Sequence, residues 1–105
     1  MEEIVFGIIV NGGDARSRAM SAIKEAKAGN IDKAKELIEE ANDFLNKAHD
    51  IQTELIQNEA AGNKTEMSLL MVHAQDHLMN AMTVKDLAVE FIDTYFEILE
   101  LKKGK

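Results

Sequence analysis

Apolar residues recur along most of this chain at steps of three and four, the period of a helix with one buried face. From Glu2 to about Ala28 the series is Ile4, Ile8, Ala15, Ala19, Ala22, Ile23 and Ala26. Asn11-Gly12-Gly13 interrupts it, and two readings compete. One is a break into two helices; the other is a continuous helix that a second helix approaches closely at the glycines. Two adjacent glycines cost a helix up to about 2 kcal/mol relative to alanine. Periodicity nevertheless resumes at Ala15 with no loop-sized polar segment between, which favours continuity.

Gly29 stands where a first helix ends and Asn30 where the next begins, a C′ glycine followed by an N-cap asparagine. Asp32 in the following turn suits the helix dipole. The second helix runs from Ile31 to about Asn58. Its inward face is Ala34, Leu37, Ile38, Ala41, Leu45, Ala48, Ile51 and Leu55, with Phe44 beside them. Lys33, Glu36, Glu39, Glu40, Asn46, Lys47 and Asp50 form a solvated opposite face. Ala60-Ala61-Gly62-Asn63-Lys64 is a second turn, with Asn63 or Thr65 to cap a third helix from about Thr65 to Lys102.

That third helix is the longest and most apolar. In its final half Leu87, Val89, Phe91, Ile92, Tyr95, Phe96, Ile98, Leu99 and Leu101 are hydrophobic over more than one stripe. A helix of that kind is buried by more than its own bundle, so the chain is expected to self-associate. At ~1.5 Å per residue the helices are ~40–55 Å long, suited to side-by-side stacking of protomers. Lys102, Lys103 and Lys105 complement the dipole at the end.

Composition agrees with an all-α antiparallel three-helix bundle. The 105 residues contain no proline and 5% aromatics, and 46% hydrophobic with 30% charged residues mark a soluble globular chain. One domain over 1–105 is the expectation. The chain has no cysteine, which excludes disulfides, thiolate nucleophiles and zinc–thiolate sites. No apolar run is long enough to span a membrane, and the Met-Glu-Glu start is acidic where a secretory signal would be basic. A net charge of −7 argues against a nucleic-acid partner held by phosphate contacts. A cytoplasmic protein is expected.

Chemistry concentrates in the third helix. His73, Asp76, His77 and Asn80 share one face, with apolar Met67, Leu69, Leu70, Met71 and Val72 before and Leu78, Met79, Ala81, Met82 and Val84 after. With little helix surface left for water, this stripe is expected to face another helix, a crevice or a ligand. A buried polar group without a partner costs roughly 1–3 kcal/mol, so four on one face suggest a purpose. Histidines on helices are most often solvated or hydrogen-bonded, and His49, alone among polar neighbours, fits that description. His73 and His77 at i, i+4 with Asp76 between them could chelate one divalent ion. The His-Glu-x-x-His signature is absent, however, and no paired Glu-x-x-His motifs exist for a di-iron bundle. As a nucleophile, His73 could accept a phosphoryl group through a neutral imidazole and pass it on. Gln75, His77 and Asn80 would then be donors or orienters, while the carboxylate of Asp76 would repel the incoming group.

Val72-His73-Ala74-Gln75-Asp76-His77-Leu78-Met79 resembles the signature around the phosphorylated histidine of a known family. That family is the A component (enzyme IIA) of the lactose/cellobiose type, which includes N,N′-diacetylchitobiose systems, in the bacterial sugar phosphotransferase system. Similarity extends to Gly7 through Ser17, to Ala48-His49-Asp50-Ile51-Gln52-Thr53 and to the acidic turn before the last helix. The resemblance implies a homotrimer of three-helix subunits, a nine-helix bundle. It implies that His73 receives phosphoryl, at its tele nitrogen, from the histidine phosphocarrier protein and donates it to a cysteine of the IIB component. It also implies that Asp76 lies at the trimer axis, where three copies bind magnesium or a similar divalent cation, with Gln75 and His77 near the site. The transported sugar is not legible. The rival from another class is a helical metal-binding or interaction module whose His-Asp-His cluster transfers nothing.

Overall fold

The computed structural model describes residues 2–104. Met1 and Lys105, the latter expected to help end the last helix, lie outside the described residues. Three helices follow in order: α1 (Glu2–Lys27), α2 (Ile31–Ala60) and α3 (Leu69–Lys103). They form an elongated antiparallel bundle of 62 × 20 × 18 Å. α1 packs along both other helices, and α2 and α3 touch less. Gly12 lies beside His77 and Leu78, and Gly29 beside Leu99, so α1 and α3 run in the same direction with α2 antiparallel to both.

The interior is built of small residues. Ala15, Ala19, Ala22, Ala26, Ala34, Ala41, Ala48, Ala74, Ala81 and Ala88 are all buried, and Ile8 and Leu78 are the largest fully enclosed side chains. Alanine at these positions brings helix axes close while keeping the highest helix propensity. Leu45, Leu55 and Met71 complete the larger cluster, and Ile92 packs with Ala22, Ala26 and Ala34 in a second. The expected inward face of α2 is inward, with Leu37, Ile38, Phe44 and Ile51 half-buried at its borders.

α1 is continuous through Asn11-Gly12-Gly13. A Cβ at Gly12 would stand 3.7 Å from the backbone of His77 and Leu78, so the two backbones lie close enough here that a side chain larger than a methyl group would hold them apart. Dispersion contacts along that approach, together with the Asn11 Nδ2 bond to the Gly7 carbonyl at 2.7 Å, offset the poor propensity of the glycines. Ile4, expected in the core, keeps 37% of its surface. It lies over Ile51 and Leu55 at the open end of the bundle, where no further element covers it, and Val5 is enclosed instead.

Both helix exits use the same device. Gly29 and Gly62 adopt positive φ of 94° and 95°, a conformation that L side chains rarely adopt. The next residue's N–H then reaches back to close the last turn: Asn30 to Glu25 O at 2.8 Å, and Asn63 to Asn58 O at 2.9 Å. Two cap expectations need correction. Asn30 occupies the N-cap position of α2 but its side chain caps nothing; Nδ2 donates to Glu25 Oε2 at 2.8 Å instead. α3 begins at Leu69 rather than Thr65, because Ser68, extended at φ −133°, accepts the Met71 N–H at 3.1 Å. Neither Asn63 nor Thr65 has that role, and residues 63–68 form an extended connection.

Gly12 gives a direct check on the close approach. At 3.7 Å a methyl group makes ordinary contact, so Gly12→Ala should be neutral or stabilising, by up to about 1 kcal/mol from helix propensity. Gly12→Leu must push α3 away and should destabilise by about 1–3 kcal/mol. Urea unfolding at fixed protein concentration checks both. Equal midpoints for the two variants would contradict this packing.

Candidate functional site on α3

α3 turns Met71, Ala74, Leu78, Ala81, Ala88 and Ile92 inward. At 100° per residue this leaves His73, Asp76 and Asn80 on the outer side, and all three are exposed; His77 is half-buried. The stripe therefore does hold together on one face; of the three expected surroundings, another helix, a crevice or a ligand, His77 meets a crevice along α1. An interior floored with alanine and glycine has no space for polar side chains, and among the described residues no polar or charged one is buried.

The two histidines meet edge to face, ring centroids 4.6 Å apart and planes at 84°. His77 sits against the backbone of Gly12 on the α1 side. Asn80 Nδ2 points at Asp76 Oδ2 from 3.4 Å, a long and weak hydrogen bond. Gln75 is parted from the histidines: it lies on the α2 flank of α3. There its Oε1 accepts from Gln52 Nε2, and its Nε2 lies 3.9 Å from Met71 Sδ. His49 is exposed on α2, as expected, and lines a separate shallow cavity of about 250 Å³ with Asn46, Met82, Lys85 and Asp86.

A three-ligand metal chelate is not assembled. Among the described residues no group of three or more His, Cys, Asp or Glu side chains is placed to hold an ion within one chain. Asp76 offers a single carboxylate. It stands in an outward-facing row of α3 that includes Leu69, Val72, Met79, Leu87, Ile98 and Leu101, all exposed, Leu101 by 70%. This places an anion in the middle of an uncovered apolar face.

A groove of about 450 Å³ runs along the α1–α3 seam, with His77 at its edge and Gly13, Arg16, Ser17 and Lys24 on the α1 side. Sequence reasoning missed these residues as a group with His77. Their one signal was that Gly13 to Ser17 fall inside the second stretch of family resemblance. No described helix is long and apolar enough to cross a membrane.

Comparison with known proteins bears on the whole of this arrangement. Residues 3–96 match the family described as "PTS system, Lactose/Cellobiose specific IIA subunit". A Bacillus subtilis relative, a "Lichenan-specific phosphotransferase enzyme IIA component", is 61% identical over 100 residues, 95% of this chain and 91% of that protein. The crystal structure of a "PTS Cellobiose Specific Enzyme IIA from Bacillus anthracis" superposes with a TM-score of 0.92 at 55% identity, covering 94% of this chain and 91% of that one. The IIA subunit in solution structures of an Escherichia coli "IIA(Chitobiose)-HPr complex" superposes with a TM-score of 0.80 at 42% identity, covering 92% and 94%. The chain belongs to the lactose/cellobiose-specific IIA family, components of the sugar phosphotransferase system that carry a phosphoryl group through a histidine.

Proposed function

We propose that His73 is the histidine that carries the phosphoryl group, taken from the histidine phosphocarrier protein and passed to the cysteine of a IIB component. The observation that supports this most is its position: His73 is exposed at the head of the Val72–Met79 stretch, where a partner can reach it. The complex described for the Escherichia coli relative, which pairs a IIA subunit with HPr, supports the first of these partners. The chain would act as one domain, in the cytoplasm, for uptake of a sugar of the lactose, cellobiose or chitobiose type.

The transfer asks little of the protein. Nε2 of neutral His73 attacks phosphorus; the P–N bond to the donor ring breaks as the new one forms. The donor ring leaves with its electron pair as a neutral imidazole. Such transfer is governed by positioning and charge stabilisation, so one histidine on a rigid helix suffices as nucleophile. His77, packed edge-on against His73, fixes the ring's orientation. Replacing His73 with Ala should abolish labelling from phosphoenolpyruvate and the general phosphotransferase enzymes while the helical circular-dichroism spectrum persists. His77→Ala should still label, more slowly. Label lost from the His77 variant and kept in the His73 variant would reverse the assignment.

The oligomer is a homotrimer with the outer row of α3 at its centre. Exposed Leu69, Val72, Met79, Leu87, Ile98 and Leu101 favour it, because an apolar face of that length is otherwise left in water. Sedimentation equilibrium at micromolar concentration should give three times the chain mass; a stable monomer would refute the trimer.

Asp76 of each copy would hold a divalent cation such as magnesium, whose contribution is to neutralise three clustered carboxylates. Chelator should then weaken the trimer near neutral pH, and magnesium should restore it. Asp76→Leu exchanges repulsion for apolar contact, a type of change often neutral or stabilising by about 1–4 kcal/mol. That variant should stay trimeric, become indifferent to chelator and remain phosphorylatable on His73. Dissociation into monomers, or continued sensitivity to chelator, would place Asp76 away from the axis.

A further inference from the structure

The groove beside His77 is where α1 contributes to the chemistry of α3. Gly12 brings the α1 backbone against His77, so the next outward positions of α1, Gly13, Arg16 and Ser17, line a groove with His77, whose ring lies 4.6 Å from that of His73. Gly13 adds no side chain, and nothing stands within 4 Å of where its Cβ would be, which keeps the groove open at that point. Side chains of a helix lean toward its N-terminus, and because α1 and α3 run in the same direction, Arg16 leans from its position toward the level of His77.

The two arginines of α1 are used differently. Arg18 is occupied by Asp14 and Glu40 and lies over the Phe44 ring at 5.0 Å. Arg16 is exposed in the groove and has no carboxylate partner among the described residues. A phosphoryl group brings about two negative charges to a histidine whose neighbour three residues on is Asp76, in a chain of net charge −7. A guanidinium is the side chain best matched to phosphoryl oxygens, which it can grip with two parallel N–H bonds.

We propose that Arg16, with the Ser17 hydroxyl beside it, forms the phosphoryl-binding subsite of the His73 carrier. The proposal rests on the reading of His73 as the phosphorylated residue. Arg16 makes and breaks no covalent bond. It takes up the charge that arrives as the donor's P–N bond is exchanged for the one to His73, and holds the group in line for the next transfer. Lys24 lies in the same groove but eight residues further along α1, roughly 12 Å along the helix axis from Arg16, and serves as a charge-matched control.

The test compares wild type with Arg16→Gln, Arg16→Lys and Lys24→Gln. It measures the rate of phosphoryl transfer from the phosphocarrier, the ³¹P signal of the phosphohistidine, and the oligomeric mass. Arg16→Gln should slow transfer roughly 10- to 100-fold and shift the ³¹P signal, at unchanged helicity and mass. Arg16→Lys should recover a large part of the rate, and Lys24→Gln should stay within about 3-fold of wild type. Wild-type rates in Arg16→Gln would overturn the proposal while leaving the carrier reading intact. Equal losses in Arg16→Gln and Lys24→Gln would overturn it in favour of a general docking surface. A lighter species in Arg16→Gln would assign the residue to contact between copies, and also overturn it. Failure of the wild type to label on His73 would sink the carrier reading and this proposal with it.

Discussion

How near α1 comes to α3 at Gly12 decides where the other groups of this molecule can go. With a Cβ position 3.7 Å from the α3 backbone, the helices meet through glycine and alanine rather than through interlocked large side chains. Close backbone approach recovers in dispersion contact what the small residues forgo in buried hydrocarbon per side chain. It also removes any interior space in which a histidine, aspartate or asparagine could be hidden. The polar residues of α3 are on the outside because the inside is too narrow.

The same narrowness displaces large apolar groups outward. Leu87, Phe91, Ile98 and Leu101 remain exposed although α3 is the most hydrophobic helix of the three. A chain this short could have buried more of them with a wider core, so the surface row along α3 is a consequence of the packing and not a shortage of helix. That row needs cover in water, and it contains Asp76. In the proposed trimer a carboxylate there would make association conditional: apolar contact would favour it, and charge would oppose it until a cation neutralised the charge.

Helix number, order and most boundaries were legible in the three- and four-residue apolar rhythm, because helices in a bundle need one consistent inward stripe. The continuity of α1 through Asn11-Gly12-Gly13 was legible for the same reason. Caps were less so. Asn30 has the right side chain in the right place, yet bonds Glu25, and it is Ser68 rather than Asn63 or Thr65 that caps α3. Capping depends on backbone dihedrals and a rotamer, and several residues in one turn qualify by type. For the site, spacing correctly grouped His73, Asp76, His77 and Asn80, but it could not tell which side of α3 was out, since the helix is apolar nearly all round. Gln75 looked like a neighbour of the histidines because it is two residues from each; two residues is about half a turn, and the fold hands it to Gln52 on the other flank. The groove with Arg16 was invisible because it joins residues some sixty positions apart, and only the packing at Gly12 brings them together.

A carrier of phosphoryl groups has to offer the same histidine to two partners in turn, which sets a different demand from that on an enclosed enzyme. A buried nucleophile would be well oriented and unreachable; one on a loop would be reachable and poorly oriented. With His73 as that histidine, as proposed above, both are avoided, because α3 extends on either side of it with its inward residue Leu78 packed in one cluster with Ile8 and Leu45. The ring is exposed while its backbone is as rigid as the bundle. What exposure sacrifices is the low-dielectric surrounding that would strengthen charge stabilisation, so nearby fixed cations matter more here than in a closed pocket. In a chain with 19 acidic and 12 basic residues, Arg16 shares the groove with His77 and has no carboxylate partner among the described residues. On the proposed reading of His73, the charge that a phosphoryl group would bring gives that arginine a partner.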